Sequence, residues 1–375
     1  MPPPPLPPPP VITPPEPARP RRSQGWMVVS IILFVLLGFC VLALLSRSVT
    51  RSLNLGRSLR GEAFASAREA GPKLDECFLE NNKSPNKIAV ISVDGIISSH
   101  EFDSSGNNLV DLIAAQLDRA RDDKHVKAVI LKVDSPGGEV LASDEIYREI
   151  CDFEDGTNGK PVICSMGSLA ASGGYYISSG CRWIVANELT LTGSIGVIMH
   201  GWNYRGLMDK LGVTPMTYKS GKFKDMLSGE RATNEIPAEE HEMVQGLINE
   251  TYEKFKEVVY EGRSAAHDLN KKEGKALAAD WEDYADGRVV SGKQALDLGL
   301  VDELGNIDDA VDRAEKLTHI RDSNLIEYRE HYDISDLFSM FGQSSRAHDL
   351  KLSLGIEPPK LQAGLLYYLA PTFVN

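Results

Sequence analysis

The 375-residue chain lacks the basic surplus that nucleic-acid phosphates require: its formal charge is −13 and its lysines and arginines form no stripe. That balance argues against a nucleic-acid partner. Cysteine is scarce too. The five present, Cys40, Cys77, Cys151, Cys164 and Cys181, repeat no spacing. This excludes a disulfide framework and a zinc site, and they read as small buried residues. The sequence offers no metal cluster and calls for no cofactor. A third lack is local. Ser165–Gly180, SMGSLAASGGYYISSG, holds five serines and four glycines but no charged residue and no histidine. So many hydroxyls and small residues directly after the strand-like run KPVIC need an explanation.

The rest of the chain divides by texture. Residues 1–25 are proline-rich and are expected to form a polyproline II-like or disordered tail. Trp26–Leu45 is a run of 20 residues without a charge. At about 1.5 Å rise per residue it spans about 30 Å, the thickness of a bilayer core, and is too long for a secretory signal. A single transmembrane helix in contact with membrane lipid is therefore expected. Arg19, Arg21 and Arg22 precede it and Arg47, Arg51, Arg57 and Arg60 follow it, so charge alone does not choose its orientation. Residues 46–86 read as a polar stalk with one helix near Leu59–Ala70. From Lys87 short Val/Ile-rich runs (88–93, 128–133, 161–166, 182–186, 196–199) alternate with amphipathic helical patterns. This predicts an α/β domain with mainly parallel strands over 87–318. A long helix is expected over Pro237–Gly262, with others at 292–299 and 307–317. Residues 319–375 form a C-terminal extension without an assignable pattern.

Two glycine-rich turns follow predicted strands. In the first, Ser135-Pro136-Gly137-Gly138, the glycines permit close backbone approach and free N–H groups can point at negative charge. In the second, Ala170-Ala171-Ser172-Gly173-Gly174 has the small-x-Ser-x-small form of a nucleophile elbow. The N–H groups of Gly138 and Gly173 would then form an oxyanion hole. The same small residues also suit a close helix contact. A serine nucleophile needs a base, and two follow in the chain: His200, which would need an acid partner, and Lys224, which Ser194 could support and which must be neutral to act. Spacing does not choose between them.

These motifs together resemble the signal peptide peptidase A (SppA) family of membrane-bound Ser/Lys peptidases, in its short bacterial form. The likeness runs from KIAVISVDGII (87–97) through SPGG, SMGSLAASGGYYIS, LTGSIGVI and KSGKFKD to ADGRVVSGKQALDLGLVDELG (285–305). It implies a Clp protease/crotonase-like fold, with Ser172 as nucleophile, Lys224 as general base, Ser194 assisting the lysine and Gly138 as oxyanion donor. Gly173 as second donor follows from the elbow. The resemblance further implies a homo-oligomer with active sites between neighbouring subunits, in which Lys224 serves the Ser172 of another chain or of its own, a bacterial membrane location with the catalytic domain outside the cytoplasm, and hydrophobic peptides such as cleaved signal peptides as substrates. His200 stands outside the family pattern and is the alternative base; Lys219 and Lys222 are the alternative lysines. Two other classes compete: an acyl-CoA enzyme on the same fold, and a non-catalytic membrane scaffold.

Overall fold

A computed structural model describes residues 72–100, 108–157, 159–330 and 366–370. The expected membrane helix Trp26–Leu45, the proline-rich tail and most of the stalk lie outside the described residues. Among the described ones no helix is long and apolar enough to cross a membrane.

The strands are β1 Leu74–Glu80, β2 Lys87–Asp94, β3 Val126–Ser135, β4 Gly137–Glu139, β5 Val162–Ala171, β6 Trp183–Ala186, β7 Leu191–Gly193, β8 Ile198–Met199, β9 Val289–Ser291, β10 Glu303–Leu304, β11 Asn324–Glu330 and β12 Leu366–Leu369. The α-helices are α1 Leu109–Asp122, α2 Val140–Asp155, α3 Gly173–Ser178, α4 Arg205–Leu211, α5 Ala238–Leu269, α6 Gly292–Asp297 and α7 Ile307–Thr318. The expected α/β alternation is present. The larger sheet runs β1-β11-β2-β3-β5-β6-β10, with β7 paired to the end of β5 and β9 to β7. Its pairs are parallel except β1·β11 and β7·β9.

The period-2 alternation of a strand divides the core. Ala89, Ile91 and Val93 of β2 and Val129, Leu131 and Val133 of β3 face a large cluster with residues of α1, α2, α3 and α5. Ile88, Val90, Ala128 and Ile130 face the other side, where Ala310 and Ala314 of α7 cover them. Parallel strands buried on both faces explain the continuous Val/Ile runs. The first turns of α1 and α7 are fixed by capping boxes, Asn108 with Asp111 and Asn306 with Asp309.

Three elements differ from the sequence reading. Helix α5 does not stop at Gly262 but continues to Leu269. The glycine is there because α5 crosses the end of α3 closely: a Cβ at 262 would lie 2.2 Å from Ser179 O. Strand β11 lies in the stretch that showed no pattern. It pairs parallel to β2 and antiparallel to β1, and the charged residues of both β1 and β11 mask their strand character. Charge suits β1, which occupies the sheet edge. Third, the last two residues of the Ser135–Gly138 turn belong to a short strand, β4, and α2 begins only after Glu139.

Arg263 of α5 pins that helix to the sheet. Its guanidinium donates to Asp302 Oδ1 at 2.5 Å, both groups are buried, and Asp302 Oδ2 accepts the Ile184 N–H at 2.9 Å. Removing one partner of a buried pair strands the other charge. Arg263→Ala should therefore cost about 3–5 kcal/mol in a urea unfolding titration. A loss below about 1 kcal/mol, the range of an exposed pair, would contradict this role.

Candidate active site

The site is built where β5 ends. Strand β5 continues through the small residues to Ala171, Ser172 follows, and α3 begins at Gly173. Ser172 adopts φ 55° and ψ −118°, a region that non-glycine residues rarely occupy and that marks strain held by its surroundings. Those surroundings are visible. The Ser172 N–H donates to Gly193 O and the Tyr176 N–H donates to Ser172 O, both at 2.8 Å. Thr192 on β7 donates its hydroxyl to Ala170 O at 2.6 Å, tying the end of β5 to β7. The serine is 1% exposed and its Oγ has no hydrogen-bond partner among the described residues. A buried hydroxyl is normally bonded, and leaving one unpaired costs free energy.

The Ser135–Gly138 turn meets the Ser172 turn. Gly137, at φ 102°, has its N–H bonded to Ser135 Oγ at 3.1 Å. A Cβ on Gly137 would lie 2.6 Å from Gly173 N; one on Gly173 would lie 2.6 Å from Ser143 Oγ and 3.1 Å from Gly138 N. The two turns thus touch through backbone alone, which is why neither tolerates a side chain. On β4, Gly137 O accepts the Ile97 N–H and the Glu139 N–H donates to Ile97 O, each at 2.9 Å. Strand alternation therefore turns the Gly138 N–H away from Ile97, toward the side on which Gly173 lies. Neither Ser143 nor Glu139 carried a signal in the sequence. Ser143 Oγ donates to Glu139 O at 2.8 Å, and the Glu139 carboxylate accepts from the Ser99 N–H at 2.9 Å and the Ser98 hydroxyl at 3.3 Å. A buried carboxylate beside the Gly138 turn thus fixes the 97–99 segment against it.

Ser194 is next to Gly193, the acceptor of the Ser172 N–H. It is buried at φ 51°, its own N–H donates to Arg288 O at 2.8 Å, and it lines a cleft of about 470 Å³. Ser172, Gly173, Gly138 and Ser194 are therefore gathered in one region. Lys224 is not bonded to it. It lies in an exposed turn, its backbone N–H donates to Gly221 O at 3.3 Å, and Ser172 Oγ receives no contact from its amine. The neighbouring lysines are occupied: Lys219 holds Asp225 at 2.7 Å, and Lys222 pairs with Glu239. Among the described residues no carboxylate pairs with Lys224, which makes it the one of these three lysines without an ion pair there. His200 sits edge-on to Trp202, ring centroids 5.0 Å apart, with Nε2 buried and unbonded. Among the described residues no acid bonds it, and it does not bond Ser172.

Residues 154–321 match the model of peptidase family S49. An Enterococcus faecium protein named "Putative signal peptide peptidase SppA" is 36% identical over 312 residues, covering 82% of this chain and 85% of its own. "Protease 4" of Haemophilus influenzae is 38% identical over 249 residues, covering 66% of this chain and 38% of its own.

If the contact between the two turns sets the space here, Gly173→Ala should destabilise the protein by about 1–3 kcal/mol, as overpacking does. In a Ser143→Ala background much of that penalty should vanish, because the hydroxyl nearest the new methyl is gone. Equal penalties in both backgrounds, measured by denaturant unfolding, would show that the crowding lies elsewhere.

Proposed function

The chain belongs to the signal peptide peptidase A family, within peptidase family S49, and from that membership we propose that it is a membrane-anchored serine endopeptidase working through Ser172 and Lys224. The observation that carries the reading is the serine itself: buried, held at positive φ, unbonded among the described residues, and followed by Gly173, whose backbone packs against Gly138. A neutral Lys224 amine takes the Ser172 proton as Oγ attacks a peptide carbonyl. The two N–H groups hold the oxyanion. The lysine ammonium then protonates the leaving amine, and the free amine activates the water that releases the acyl group. Ser194 positions the lysine.

A lysine acts as a base only when its pKa falls from about 10.4 toward 7–8 by loss of water. On one chain Lys224 is exposed, so its desolvation must come from another copy. The segment leading up to it supports this, with Trp202 76%, Met216 78% and Tyr218 87% exposed, and with Leu207 and Leu211 of α4 also bare. Apolar surface of this kind marks an interface. A homo-oligomer in which Lys224 of one copy serves Ser172 of the next follows, with the run Trp26–Leu45 as anchor, the catalytic domain outside the cytoplasm, and hydrophobic peptides, remnant signal peptides among them, as substrates.

Ser172→Ala and Lys224→Met, each folded and assembled, should lose peptide cleavage, the lysine variant by about 10²–10⁴-fold or more. A mixture of the two reassembled together should recover activity, because some sites then combine an intact serine with an intact lysine. Full activity in either single variant would overturn the assignment. A dead mixture would place the base on the serine's own chain.

A further inference from the structure

The turn that carries Lys224 is held by the start of helix α5. Glu239 and Glu240, the second and third residues of that helix, bond to it on both sides of the lysine. Glu239 pairs with Lys222, before Lys224; both side chains are exposed, and such a pair holds weakly. Glu240 is different. Its carboxylate is buried, Oε1 accepts the Leu227 N–H at 3.1 Å, and Oε2 accepts from Arg231 Nη1 at 2.6 Å. The next buried residue of α5 is Phe255. The one side chain enclosed by this half of the helix is therefore a charged one, which proteins bury only where it is paired.

Both of its bonds come from the segment that follows Lys224. Leu227 stands at φ 65°, a conformation that non-glycine residues keep only when their surroundings impose it; the bond from its N–H to Glu240 is such a restraint. Arg231 extends the grip. Its Nη2 donates to Glu235 O at 2.8 Å, and its Nη1 lies 3.6 Å from Asp225 Oδ1. Asp225 follows Lys224 directly and accepts from Lys219 Nζ at 2.7 and 2.8 Å, which holds its carboxyl below the usual carboxylate range. The same ammonium donates to Lys222 O at 3.1 Å. Two of the three lysines thus close the turn around the third. The far half of α5 is fixed: Phe255, Val258 and Val259 lie in the larger core cluster, and Arg263 is paired with Asp302. The lysine turn is therefore tied to an element anchored in the core, which places a side chain more precisely than a free loop does.

We propose that Glu240 and Arg231 are positioning residues for the reaction: they tie the turn to α5 and so set where the Lys224 amine reaches. The proposal rests on the reading of Lys224 as the base. Displacing a reacting group by about 1 Å can cost about 10²-fold in rate. A carboxylate that never touches substrate can therefore govern the chemistry through the turn it holds.

The test is the rate at which a fluorophosphonate labels Ser172 in the full chain as pH is raised, with thermal unfolding and oligomeric size measured alongside. In the unchanged chain the rate climbs to a plateau as the amine loses its proton. Glu240→Ala should lower that plateau about tenfold or more and move the midpoint of the climb upward by about one pH unit, toward the ordinary lysine value of about 10.4, because an amine no longer held in place regains water. Glu240→Gln keeps an acceptor for the Leu227 N–H and loses only the charge that faces Arg231. It should change both quantities in the same direction, and it carries the test if the alanine variant does not fold. Arg231→Met should behave like Glu240→Gln, and Arg231→Lys should recover part of the plateau. An unchanged profile in the folded variants overturns the proposal. So does a lower plateau with an unmoved midpoint, which is what loss of folded or assembled protein alone would give. Lys224→Met separates this proposal from its premise. If that variant is unlabelled while the Glu240 variants label as before, only the positioning role falls; if it labels at the full rate, the lysine is not the base and both fall.

Discussion

The site depends on the contact of two polypeptide turns with nothing but backbone between them. Gly137 and Gly138 on β4 meet Gly173 at the start of α3, and each added Cβ would fall within about 3 Å of an atom of the opposite turn or its supports. Everything notable about Ser172 follows. The serine takes a positive φ because β5 must give way to α3 in one residue while Gly173 stays against the SPGG turn. Its hydroxyl is buried, and the backbones of Gly138 and Gly173 come close because neither Cα carries a substituent to separate them. The small residues of Ser165–Gly180 are thus a steric requirement before they are a chemical one.

The sequence showed part of this because the steric requirement is written in residue types. Hydroxyl and glycine runs at the end of a Val/Ile strand pointed to Ser172, and the Ser135–Gly138 turn pointed to Gly138. The α/β alternation was readable for the same kind of reason, since strands buried on both faces leave continuous apolar runs. Lys224 was different. Nothing in its own neighbourhood distinguishes it, since it is one exposed lysine among several, and only the family resemblance singled it out. The structure adds one discriminating fact: Lys219 and Lys222 are held by Asp225 and Glu239, and Lys224 is not.

Other features were illegible for reasons that are physical. Gly262 looks like a helix terminator and is in fact a crossing point. Strands β1 and β11 carry charges because β1 is a sheet edge and β11 is its partner, so neither shows clean alternation. Strand β12 is four residues of ordinary apolar sequence. What makes it a strand is the pair of edges, β4 and β8, that it joins, and such a partner cannot be inferred from LYYL itself. The turns, the exposed lysine loop and the C-terminal strand therefore come from distant stretches of chain, and each differs in how far local sequence reports on it.

The central claim is that the strained, unbonded Ser172 hydroxyl is a nucleophile activated by an amine. A fluorophosphonate adduct located by peptide mass spectrometry tests it most directly. The account predicts stoichiometric modification at Ser172, rising with pH as the amine loses its proton and absent from folded Lys224→Met protein. Modification at another serine, or undiminished labelling of Ser172 without the lysine, would contradict it.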